Sequence, residues 1–172
     1  KKRIYIISRI LLSTYLEKIQ LYYKLVNLMS IEGLIITPTK IISTIGGDVF
    51  HGMKKSDSGY VGFGEAYFST IEPNAIKAWK RHREMTLNLL VPFGEVRLVL
   101  YDDRPHIPIP GIFQEVILSR KNYHRLTIPP FVWLGFQGIG AKQSILLNIA
   151  DIQHDPLEVD RKSLKDIPYN WN

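Results

Sequence analysis

Between Gly33 and about residue 155 no stretch of the chain repeats its apolar residues at helical spacing. Short runs rich in β-branched and aromatic residues stand there instead. Gly94-Glu-Val-Arg-Leu-Val-Leu-Tyr101 alternates, placing Val96, Leu98 and Leu100 on one face of a strand. Phe113 to Leu118, Arg125 to Ile128 and Ser144 to Ile149 are further β-rich runs. Turn signals punctuate them at Pro92-Phe-Gly94, Asp102-Asp103, Pro110-Gly111 and Pro129-Pro130. Many short strands at this spacing predict an all-β sandwich or closed barrel. From Asp155 to Trp171 the chain reads as a short helix followed by an extended end.

One predicted strand carries chemistry. In Ile76-Lys-Ala-Trp-Lys-Arg-His-Arg-Glu-Met85, side chains two apart share a face. Ala78, Lys80, His82 and Glu84 therefore fall together, with Lys77, Trp79, Arg81 and Arg83 on the other side. A base, a cation and an acid on one face suit a catalytic site. The competing reading is a solvated edge strand, where charges are common.

At 172 residues the chain has the size of one domain, or one domain with an appendage. It has no cysteine, so disulfides and thiolate chemistry are excluded and a cytoplasmic location is expected. The net charge of +6 is concentrated at the start. Residues 1–28 hold six basic side chains and one acidic, leaving 16 basic and 15 acidic in the rest. A nearly neutral body gives no basis for a nucleic-acid groove. No run reaches the roughly 18 apolar residues of a membrane span. Residues 1–28 read as a basic extension, either an amphipathic helix (Ile10, Leu11, Tyr15, Ile19, Tyr22, Leu25, Leu28) or sequence foreign to the native chain, with 29–172 as the folded domain.

From about Ile31 to Trp171 the chain resembles the dTDP-4-dehydrorhamnose 3,5-epimerase family of cupin-type nucleotide-sugar epimerases. The likeness rests on segments in the same order as in the family: Gly64-Glu-Ala-Tyr-Phe-Ser-Thr, Ile76-Lys-Ala-Trp-Lys-Arg-His, Gly94-Glu-Val with Asp102 and Arg104, Ile128-Pro-Pro-Phe-Val-Trp-Leu-Gly-Phe-Gln137, and Ile167-Pro-Tyr-Asn-Trp171. The resemblance implies a cupin, or jelly-roll, barrel of antiparallel strands with minor helical segments at the termini. It also implies a cytoplasmic homodimer that acts on a dTDP- or CDP-linked 4-keto-6-deoxyhexose without metal or organic cofactor. The pathway implied is deoxysugar biosynthesis for surface polysaccharide, such as the O-antigen of lipopolysaccharide. The reaction removes a proton beside the C4 ketone and returns it on the opposite face.

Carried over residue by residue, the family's Arg-Gly-x-His falls on Lys77-Ala78-Trp79-Lys80, which puts Lys80 at the catalytic histidine position. His82 lies two residues on. The acidic partner of the histidine has no match, the acid-side tyrosine falls near Leu147, and the Arg-Gly of the nucleotide side falls on His51-Gly52. Lys80 and His82 are thus the expected catalytic pair, one as base and the other as enolate-stabilising group. Ser69, Arg104, Tyr67, Glu65 and Asn170 are the expected substrate contacts, with Arg104 alternatively pairing with Asp102 or Asp103. Loss of the tyrosine favours inversion at C3 alone.

The alternative is a catalytically inactive barrel serving as a nucleotide-sugar-binding or assembly module. A metal cupin is set aside, because Lys80 and Leu134 fall where two of its histidines would stand. Phe131, Val132, Trp133 and Phe136 read as core, with sugar stacking an option for Trp133. His51, His106, His124 and His154 read as surface residues.

Overall fold

The computed structural model describes residues 30–172 together with Lys18, Gln20 and Leu21. Otherwise the reading of residues 1–28 lies outside the described residues.

Among the described residues twelve strands follow one another: β1 (Ile35–Pro38), β2 (Ile41–Thr44), β3 (Gly47–Phe50), β4 (Glu65–Ile71), β5 (Ile76–His82), β6 (Leu87–Phe93), β7 (Glu95–Asp102), β8 (Ile112–Ser119), β9 (His124–Ile128), β10 (Trp133–Gly138), β11 (Ser144–Ala150) and β12 (Val159–Arg161). One sheet runs β1-β9-β6-β11-β4, the other β12-β5-β10-β7-β8, and β2-β3 form a separate hairpin. All pairings are antiparallel. The two five-stranded sheets enclose a core between them, the jelly-roll arrangement of a cupin barrel.

The core follows from alternation. Val96, Leu98 and Leu100 of β7 join Leu87 and Leu89 of β6, Leu126 of β9 and Leu146 of β11 in one buried cluster. The intervening side chain Val99 faces the other way, into a second cluster with Trp79, Trp133 and Ile167. That outer cluster is roofed by the C-terminal tail through Tyr169 and Trp171. Gly135 makes room for the roof: a Cβ there would lie 2.8 Å from the Trp171 ring.

Two expectations for β5 need correction. The strand stops at His82, so Glu84 leaves its face and is exposed. The register against β10 also shifts, with Lys80 opposite Leu134 but Lys77 opposite Phe136. This bulge reverses the alternation and turns Lys77 away from the outer Trp79. Its ammonium donates to the carbonyl of Thr70 on β4, 2.8 Å away. Of the segment read as core, Val132 and Trp133 are buried, whereas Phe131 has φ 64 and is exposed.

The tail begins with a single 3-10 turn, Pro156–Glu158, capped by Asp155, whose side chain accepts from the Leu157 N–H. Proline at its first position and an Asx cap set the turn locally. β12 follows at once and pairs with β5, Val159 opposite His82 and Arg161 opposite Lys80.

Candidate active site

A cavity of about 340 Å³ opens between the sheets. Leu87, Leu89, Leu134 and Leu146 give it apolar walls, while β5 contributes Lys80 and His82. Tyr67 and Ser69 reach it from β4, Asn148 from β11 and Arg161 from β12. A concave, mostly apolar site with few convergent polar groups suits a small sugar.

His82 is buried, and its Nδ1 lies 2.6 Å from Oε2 of Glu158. The other oxygen of Glu158 accepts the N–H groups of Glu84 and Met85, each at 2.8 Å. Burial pushes the Glu158 carboxyl up, but these two N–H donors and His82 outweigh it and hold the group below its usual value. An ionised carboxylate only accepts, so Nδ1 carries the imidazole proton and Nε2 carries the lone pair. Nε2 is buried and has no hydrogen-bond partner among the described residues. Burial, opposed by Glu158 and reinforced by Lys80, keeps the His82 pKa below the ordinary imidazole value. The neutral ring is thus poised to take a proton.

Its neighbour Lys80 has its ammonium form disfavoured in the same way. Burial lowers its pKa first and the Arg161 charge next, against opposing fields from Glu158 and Glu65. Asn148 is the third group aimed inward, with a buried Oδ1 that has no hydrogen-bond partner among the described residues.

Of the expected site residues, the cavity brings together Lys80, His82, Tyr67 and Ser69. Glu65 stands at the start of β4 and acts on Lys80 only through its field. Arg104 is not among the cavity-lining residues. Its guanidinium donates to both oxygens of Asp102, at 2.9 and 2.6 Å, and to the carbonyl of Glu32. That is the structural pairing weighed from the sequence. Asn170 lies exposed in the tail, its Oδ1 accepting the N–H of Asn172.

The expectation of a histidine without an acidic partner is overturned by Glu158. Leu147 is likewise corrected, because it points outward over Phe63 and Ala66 while Leu146 and Asn148 face the cavity. Trp133 sits on the outer face, between the Arg81 guanidinium at 4.4 Å and the Lys162 ammonium at 4.5 Å, so it does not stack in this cavity. Sequence reasoning missed Glu158, Asn148 and Arg161. The inward position of Asn148 was available from the alternation of β11, whereas no local spacing joins Glu158 to His82.

No protein-family model matches the chain. The chain is 38% identical to the dTDP sugar isomerase of Desulfovibrio desulfuricans G20, with a TM-score of 0.79 over 82% of this chain and 92% of that one. It is 31% identical over 106 residues to the probable low-salt glycan biosynthesis epimerase Agl13 of Haloferax volcanii, a match spanning 61% of this chain and 66% of the relative. The dTDP-4-dehydrorhamnose 3,5-epimerase of Sulfolobus tokodaii shares the fold, with a TM-score of 0.70 at 21% identity over 80% of this chain and 81% of that one. Sequence identity across nearly the whole solved relative places the chain in one family with that dTDP sugar isomerase, cupin-type nucleotide-sugar epimerases on the barrel that the dTDP-4-dehydrorhamnose 3,5-epimerases share.

Proposed function

We propose that the chain epimerises a nucleotide-linked 4-keto-6-deoxyhexose at C3, as a cytoplasmic homodimer supplying deoxysugars for surface polysaccharide. The observation that carries this reading is the His82–Glu158 dyad, whose free Nε2 belongs to a side chain lining the cavity. A ketone acidifies the neighbouring C–H, and a neutral imidazole whose Nε2 lone pair is unshared is a suitable base for it. Lys80 stands on the same face, where its amino group can donate to the developing enolate oxygen. Tyr67, Ser69 and Asn148 offer hydrogen bonds to the sugar. The inward positions of β11 are Leu146 and Asn148, neither of which can serve as a phenolic acid. The polysaccharide role draws on Agl13 and on the Bacillus subtilis spore coat polysaccharide biosynthesis protein SpsL, 27% identical over 64% of this chain and 76% of that protein. The dimer draws on the free edge of β4 and its exposed Phe68.

The test is proton NMR of dTDP- and CDP-linked 4-keto-6-deoxyglucose with the protein in deuterated water. Deuterium entering at C3 alone is expected. Exchange at C3 and C5 would reject the single-centre assignment, and saturable binding without exchange would leave a non-catalytic sugar-binding barrel.

A further inference from the structure

Lys80 is poorly placed to remain a simple cation. Among the described residues it has no ion pair, and of the two carboxylates whose fields favour its charge, Glu158 and Glu65, Glu158 is engaged elsewhere. It is taken by His82 and two backbone N–H groups. Directly opposite Lys80 across the β5–β12 ladder stands a second cation, Arg161. Like charges facing each other in a ladder repel. The leucine walls of the cavity add a desolvation cost to the ammonium. Glu65 is the remaining acid whose field favours the charge, and it makes no contact. The lowered Lys80 pKa agrees with this placement. A desolvated lysine beside another cation is the usual setting of a nucleophilic amine.

We propose that Lys80 is a nucleophile whose Nζ forms a Schiff base with the C4 ketone of the sugar, so that the proton taken by His82 leaves from an iminium rather than a ketone. This deepens the epimerase reading and rests on it. The neutral amine adds to C4, forming a C–N bond, and the carbonyl oxygen becomes a hydroxyl. That hydroxyl takes a proton from solvent and leaves as water, giving the protonated iminium. His82 Nε2 then removes the C3 proton. The C–H electrons become the C3=C4 double bond, and the iminium π electrons move onto nitrogen as an enamine. A proton from solvent returns to C3 on the opposite face, and water hydrolyses the iminium to ketone and free amine. His82 stands two residues along the same strand face, an offset of about 7 Å. The flexible four-carbon stem of lysine spans such an offset.

The experiment adds sodium cyanoborohydride to the full chain with each of the two nucleotide-linked 4-keto-6-deoxyglucoses and reads the intact mass. The expected result is a covalent adduct equal to substrate less water plus two hydrogens, mapped to Lys80. Catalysed exchange of the C4 oxygen with 18O-labelled water should accompany it. Lys80→Arg keeps the charge and removes the nucleophile. It should form no adduct and lose C3 deuterium exchange by about 10²-fold or more, with a melting curve like that of the parent. Deuterium exchange in the parent without adduct or 18O exchange would overturn the Schiff base and leave the epimerase standing. So would Lys80→Arg retaining exchange, or an adduct mapped to another lysine. An adduct at Lys80 without deuterium exchange would support the amine and overturn the proton transfer.

Discussion

His82 and Glu158 are 76 positions apart in the chain, yet their side chains meet at 2.6 Å in a buried contact. The contact exists because β12 pairs with the end of β5 and brings the preceding 3-10 turn against His82. One carboxylate fixes the imidazole tautomer with one oxygen and ties down the Glu84–Met85 backbone with the other.

Replacing Glu158 with glutamine should therefore separate orientation from burial. The amide presents donors on one side only, so either Nδ1–H or the two backbone N–H groups lose an acceptor. Turnover should fall by about 10²–10⁴-fold, and stability by about 1–3 kcal/mol. His82→Ala should abolish exchange, and the double variant should be no worse than His82→Ala, since the two groups act as a unit. Exchange rates and urea denaturation read both effects.

Acid should unfold the protein in two stages. His82 has a folded-state pKa below its ordinary value, so unfolding takes up a proton and stability is lost as pH falls from about 6.5 toward the folded value. Glu158 is depressed as well, so its contribution is present above its unfolded pKa and fades as pH drops through the folded one. Denaturation midpoints between about pH 8 and pH 3 should decline through both windows. His82→Gln should remove the upper stage only. The acid limb of activity should likewise fall below the ordinary imidazole value.

The sequence made the fold legible where one face alone is buried. Val96, Leu98 and Leu100 alternate with polar or outward side chains and land together in the core. Lys80 and His82 share a face for the same reason. Where a bulge or a one-residue offset intervenes, alternation misleads. Lys77 changes side at the β5 bulge, and the assignment of Leu147 missed the inward face by one residue. Glu158 was illegible for a different cause. Asp155 and Pro156 announce a turn, but its position against His82 is set by strand pairing between distant segments.

Gly94 joins β6 to β7 with φ 80, and a Cβ there would lie 2.2 Å from Ser144 Oγ and 2.6 Å from its Cα. Gly94→Ala combines left-handed strain with a backbone clash and should cost about 2–4 kcal/mol. Gly94 does not line the cavity, so KM should be unchanged at temperatures where the variant is folded. Thermal melts and exchange kinetics test the two parts separately.

Arg125 is fully buried and donates to Asp57 and to the carbonyls of Gly52 and Ser58. Asp57→Ala leaves that buried guanidinium without its counter-ion and should lower stability measurably. Arg125→Met removes the charge together with the pairing, and the Asp57→Ala/Arg125→Met double variant should cost less than the sum of the two single losses. Urea denaturation of the three variants provides the measurement.

The last prediction concerns assembly. Among the described residues β4 is the edge of its sheet, and no neighbouring strand pairs with its outer row of backbone N–H and C=O groups. Tyr67 and Ser69 turn inward to the cavity, while Phe68 turns out and is 68% exposed. Edge strands of this kind are normally shielded by charge or by a neighbour. An aromatic at the centre of β4 favours the neighbour, here a second copy of the chain. Phe68→Glu should then convert a dimer into a monomer in sedimentation velocity. The cavity-facing side chains of β4 would be untouched, so any accompanying loss of activity would report a contribution of the partner to the site. A parent chain that sediments as a monomer at all concentrations would reject the dimer and leave β4 shielded by other means.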